Sequence, residues 1–86
     1  MRKLKKVTAL DNYILDCKFN DGTLSKIDLS PLLKFDAFFP LQDQRTFKKV
    51  VNRSIFIEWP DVKLDLSADT VWHMRKETKL TNTKAN

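Results

Sequence analysis

Between residues 13 and 19 apolar and polar side chains alternate, with Tyr13, Leu15, Cys17 and Phe19 on one side and Asp16 and Lys18 on the other. A period of two sends successive side chains to opposite faces of a pleated strand, so the segment predicts a half-buried β-strand. Residues 7–10 form a shorter strand candidate before it, joined through a turn at Asp11-Asn12. After it, Asn20-Asp21-Gly22-Thr23 is the strongest turn signal in the chain, because Asp-Gly accepts the positive φ angles of a tight hairpin. Residues 24–29 return as a third strand, and 7–29 therefore predict a three-stranded antiparallel meander.

Ser30-Pro31 follows at once, a favoured N-cap and a favoured first helical residue, which predicts a short helix through Leu32 and Leu33. Phe35, Phe38, Phe39, Pro40 and Leu41 show little periodicity and are expected to form a buried aromatic plug over the sheet. Residues 43–51 read as helical, Phe47, Val50 and Val51 recurring at i, i+3 and i+4 as the inner face while Arg45, Lys48 and Lys49 point outward. Ile55, Ile57 and Trp59 then alternate with Phe56 and Glu58, Pro60-Asp61 turns the chain, and Val62, Leu64 and Leu66 alternate with Lys63 and Asp65, which predicts a second β-hairpin. Ser67 caps a final short helix with Ala68, Val71, Trp72 and Arg75 along one side. The fold class expected is α+β: the meander and hairpin packed with two or three short helices in a single compact domain over 1–76, followed by an unstructured tail over 77–86.

The chain has 86 residues, 42% hydrophobic and 31% charged, a balance that suits one small globular domain and argues against general disorder. No window approaches the roughly 18 apolar residues of a membrane helix, and MRKLKKVTAL followed by Asp11-Asn12 lacks the apolar core of a signal peptide, so a cytoplasmic location is expected. The single cysteine, Cys17, excludes an internal disulfide and a cysteine-rich zinc site, leaving packing to supply the stability. The net charge is +5, but it is unevenly placed. Residues 1–6 carry Arg2, Lys3, Lys5 and Lys6, residues 75–86 carry Arg75, Lys76, Lys79 and Lys84 against Glu77, and the intervening body has eight basic and ten acidic residues. The termini are thus basic and the body mildly acidic. If the two ends meet, Arg2, Lys3, Lys5, Lys6, Arg75 and Lys76, together with Arg45, Lys48 and Lys49, are the candidate phosphate-binding residues.

Catalytic chemistry finds little support. Cys17 lies on the apolar face of its strand, where burial holds a thiol protonated, and the one histidine, His73, falls opposite Val71 and Trp72 on the last helix. One histidine and one cysteine without spaced carboxylates make no metal site, and one glycine makes no phosphate loop. The aspartates fall mostly at turns, helix starts and strand ends, where a short carboxylate accepts backbone N–H groups. No catalytic residue, cofactor or metal is expected. Phe56 falls on the Glu58 side of its strand, and Phe56, Glu58, Trp59 and Lys63 form the candidate interaction surface.

Several segments in order resemble the bacterial domain-of-unknown-function family 2442 (DUF2442): Phe19-Asn20-Asp21-Gly22, Ile27-Asp28-Leu29, Phe39-Pro40-Leu41-Gln42-Asp43 with Phe47 and Val50, Ile57-Glu58-Trp59-Pro60, and Leu64-Asp65-Leu66-Ser67-Ala68-Asp69. The resemblance implies a compact α+β fold and no established activity. Some relatives carry a helix-turn-helix segment, for which there is no room after Arg75, and an operon pairing two short genes, like that of a toxin–antitoxin system, would imply a protein partner. The function expected is a non-enzymatic interaction module binding a protein partner or a second copy of itself, with no membrane. The alternative is an accessory nucleic-acid-binding or regulatory protein using its basic ends.

Overall fold

The computed structural model describes residues 2–83, with side chains as far as Arg75. The strands are β1 (Leu4–Leu10), β2 (Ile14–Phe19), β3 (Leu24–Asp28), β4 (Val51–Asn52), β5 (Phe56–Trp59) and β6 (Leu64–Ser67). Helix α1 (Gln44–Phe47) precedes β4, α2 (Ala68–Thr83) follows β6, and 3-10 turns span Asp11–Tyr13, Ser30–Lys34, Asp36–Gln42 and Pro60–Val62. Two three-stranded antiparallel sheets result, ordered β1-β2-β3 and β4-β5-β6, and the α+β class read from the sequence is the one observed. The sheets join at Leu4, whose N–H donates to the Ser54 carbonyl (2.7 Å) and whose carbonyl accepts the Asn52 side-chain amide (2.9 Å).

In the first sheet the alternation of β2 dictates the layering. Leu15, Cys17 and Phe19 are buried, and cross-strand pairing puts Val7 and Ala9 of β1 and Ile27 of β3 on the same inner face. Gly22 takes φ +93 at the β2–β3 hairpin and its N–H donates to the Phe19 carbonyl (2.9 Å), while Asp21 Oδ1 accepts the Thr23 N–H (2.9 Å). The second sheet contributes Ile57, Trp59 and Leu66. Helix α2 packs Ala68 and Val71, three residues apart and fully buried, against both sheets. Desolvation in this core pushes the Cys17 thiol up to about 12.

Five expectations are corrected. β1 starts at Leu4 rather than residue 7: the register shifts between Leu4 and Lys6, and this irregularity breaks the alternation that would have revealed the strand. Tyr13 leaves β2 for the preceding turn at φ 63, where its ring edge meets Phe47 and its hydroxyl donates to the Gln42 carbonyl. The helix expected over 43–51 is a single turn, capped by Asp43 Oδ1 accepting the Arg45 N–H (3.0 Å); Val51 belongs instead to β4, paired with Glu58. The aromatic plug is only partly buried. Phe38 packs on the core, but Phe35 and Phe39 are 55% and 60% exposed, because 3-10 turns turn only one side inward and Leu33 and Leu41 occupy it. Ile55 is likewise exposed, lying in the turn beside Ser54 (φ 75) rather than on the inner face of β5.

Helix α2, at Ala68–Thr83, is also longer than the short last helix expected. No glycine or proline interrupts 68–83, so nothing local stops the helix. Residues 84–86 of the expected tail lie outside the described residues.

Candidate interaction surface

Charge is segregated by pairing. Lys48 Nζ meets Asp11 Oδ1 at 2.5 Å, Lys49 Nζ meets Asp61 Oδ2 at 3.1 Å, Arg53 Nε meets Glu58 Oε2 at 2.6 Å, and Arg45 Nε lies 3.8 Å from Asp43. The Lys48 ammonium holds the Asp11 carboxyl below its ordinary value of 3.8, first by hydrogen bonding and then by its charge. Asp21 is also lowered, chiefly by the Thr23 N–H. Of the candidate phosphate-binding residues, Arg45, Lys48 and Lys49 thus already face carboxylates. Lys3, Lys5 and Lys6 are exposed and form no ion pair among the described residues, and the side chain of Lys76 lies outside them.

The structure brings Arg2 and Arg75 together at Trp72. Their guanidinium carbons lie 3.5 and 3.7 Å from the ring centroid, too close for both to share one face, so the indole is held between them. Phe19 meets the same ring edge-on at 4.8 Å. Arg2 reaches Asp21 (3.4 Å), its backbone N–H donates to Asp69 (3.3 Å), and a shallow depression lies beside Arg2, Asn20, Asp21 and Asp69. Both arginines are therefore engaged with an aromatic ring, and Arg2 with acids of the chain itself as well.

The outer faces of the two sheets follow from register. On the first, Lys6, Lys18 and Leu24 stand side by side across β1, β2 and β3, and all are exposed, Leu24 by 71%. The next row is Thr8, Asp16 and Lys26, and a depression of about 290 Å³ runs between the two rows. On the second sheet, Val51, Glu58 and Asp65 stand side by side across β4, β5 and β6, with Phe56 and Ser67 as the next pair. This row was not read from the sequence, because it depends on β4.

The candidate surface Phe56, Glu58, Trp59 and Lys63 divides accordingly. Phe56 and Glu58 are half-buried on the outer face, and Lys63 is exposed at φ 57 beyond the turn. Trp59 is corrected: it is fully buried, stacked on Phe47 with centroids 6.2 Å apart, and its Nε1–H donates to the Phe47 carbonyl (2.8 Å), so it offers no surface. The period-two alternation with Ile57 already pointed inward. His73 is exposed, and no three His, Cys, Asp or Glu side chains among the described residues assemble into a metal site. No helix among them is long and apolar enough to cross a membrane.

Two antiparallel sheets sharing one apolar core, joined at β1 and β4 and closed by a C-terminal helix, define a small α+β domain with its sheet faces outward. The chain belongs to the family described as "Protein of unknown function (DUF2442)", whose model matches residues 4–77. It is also similar to the crystal structure of a "Putative DNA Binding Protein" from Nitrosomonas europaea, at 27% identity and a TM-score of 0.74 over 91% of this chain. The match takes in 51% of that protein, so this chain spans about half its length. No curated protein matches.

Proposed function

We propose that the chain is a non-catalytic interaction module that binds a protein partner through the 3-10 segment 30–42. The observation that carries this reading is the exposure of Phe35 and Phe39 by more than half, four residues apart beside the core residues Leu33 and Leu41. Exposed aromatic pairs on a rigid support are the usual anchors of protein interfaces. The test is retention by tagged protein from lysate of its own source cells, after nuclease and at raised salt, for wild type and for the Phe35→Ser/Phe39→Ser double variant. A stoichiometric protein held by the wild type and lost by the variant supports the reading; equal retention by both, or recovery of nucleic acid alone, overturns it.

A second reading, nucleic-acid binding, is favoured by the lysines at 3, 5 and 6, which form no ion pair among the described residues, and by the likeness to the Nitrosomonas europaea "Putative DNA Binding Protein", a chain about twice as long. Phosphate-driven binding weakens steeply between about 50 and 200 mM salt, and this separates the two readings in the same experiment.

A further inference from the structure

We infer that the chain self-associates head to tail, the outer face of β1-β2-β3 in one copy docking on the outer face of β4-β5-β6 in the next. The inference rests on the reading of the chain as an interaction module but uses a different surface. Lys6 and Lys18 are direct cross-strand neighbours, and so are Glu58 and Asp65. Like charges directly opposite each other destabilise a sheet, so each pair is unfavourable within its own chain, and the two pairs have opposite sign. Each row is completed by an aliphatic residue on the remaining strand, Leu24 beside Lys18 and Val51 beside Glu58.

Neighbouring strands are spaced alike in both sheets, about 4.8 Å apart, so the rows have the same pitch. Laid face to face in one direction, Lys6 meets Asp65, Lys18 meets Glu58 and Leu24 meets Val51 together. Arg53 occupies one oxygen of Glu58, leaving the other oxygen free, while Asp65 is exposed and forms no ion pair among the described residues. A nucleic acid would answer the lysines but would give Leu24 no apolar partner and would leave the acidic row on the other sheet unanswered. A second copy answers both rows at once. Because the two patches differ, the contact is heterologous, and repetition leads to a ring or an open chain rather than a simple two-fold dimer.

Sedimentation velocity of Lys18→Glu, Asp65→Lys and an equimolar mixture tests this. Wild type is expected to show concentration-dependent association above the monomer that weakens when salt rises from about 50 to 500 mM. Each variant alone should weaken association on the order of tenfold or more, because one of its two patches is broken. The mixture should form a one-to-one dimer and nothing larger, since Asp65→Lys keeps the lysine row and Lys18→Glu keeps the acidic row; this also shows that both variants are folded. Lys6→Glu gives a second break in the lysine row. A wild type that stays monomeric at all concentrations, a variant that associates like wild type, or a mixture no different from its components overturns the inference. If the lysine variants instead lose retained nucleic acid while wild type is monomeric, the lysine row passes to that ligand. None of these outcomes touches capture through Phe35 and Phe39, so the two readings fail separately.

Discussion

Replacing Trp59 by Phe tests whether this side chain is core or surface. The indole is fully buried, and its N–H donates to the Phe47 carbonyl at the end of α1, a group that no further helical turn can satisfy. Phenylalanine keeps an aromatic ring but removes that donor, and leaving a buried carbonyl unsatisfied costs about 1–3 kcal/mol. The smaller ring also gives up the burial of about three heavy atoms against Phe47 and its neighbours, on the order of 1–2 kcal/mol. The combined loss is about 2–5 kcal/mol, comparable to the roughly 3–5 kcal/mol that a core of this size supplies. At about 4–8 °C per kcal/mol for a domain this small, Tm should fall by roughly 10–40 °C. Thermal and urea unfolding followed by far-UV circular dichroism measures it, with Trp72→Phe, at a half-buried site, as the comparison. A loss below about 1 kcal/mol at Trp59 would refute the burial argument and return the residue to the surface.

Two further predictions concern titration. The folded Cys17 thiol keeps its proton to about 12, whereas the unfolded one ionises near 9.0, so unfolding releases a proton between these values and stability falls as pH rises through that window. Moving from pH 8 to about pH 10.5 should cost wild type on the order of 2 kcal/mol more than Cys17→Ala in urea titrations; identical pH dependence would refute it. The lowered carboxyls of Asp11 and Asp21 stabilise the fold above the ordinary value of 3.8 and lose that contribution as pH falls through their folded values. In carboxyl-carbon NMR titrations, Lys48→Met should raise the Asp11 midpoint toward 3.8 and leave that of Asp21 in place, since Thr23 and Arg2 hold the latter.

The most legible parts of the fold were those in which a local signal and the tertiary outcome agree. The alternation of β2, β5 and β6 and the Asp21-Gly22 turn state both conformation and burial, and Phe19-Asn20-Asp21-Gly22, Ile57-Glu58-Trp59-Pro60 and Leu64-Asp65-Leu66-Ser67 of the family resemblance fall in or beside these elements. Elsewhere a local pattern competed with a distant partner. Val50 and Val51 sit at helical spacing from Phe47, yet Val51 is drawn into β4 because Glu58 and Ile57 of β5 offer a ladder that no helical window reveals. The phenylalanines of 35–39 were read as interior on hydrophobicity alone, which carries no account of how little of a 3-10 turn can face inward. The same limit hid the acidic row, since Val51 stands beside Glu58 and Asp65 only through β4, a strand that the sequence pattern does not reveal.

The position of Arg2 bears on how the domain is assembled during synthesis. β1 finds its partner within the next twenty residues, in β2, and Arg2 reaches Asp21 at the first hairpin, but the Leu4 N–H waits for the Ser54 carbonyl, and Arg2 waits for Asp69 and Trp72 to complete its contacts. Contacts that close so long a loop are entropically late. A chain emerging from the ribosome can therefore complete its first hairpins while the Leu4 N–H and the contacts of Arg2 with α2 remain unmade. Those last contacts form only after α2 has emerged, making the indole of Trp72 the place where the beginning and the end of folding meet.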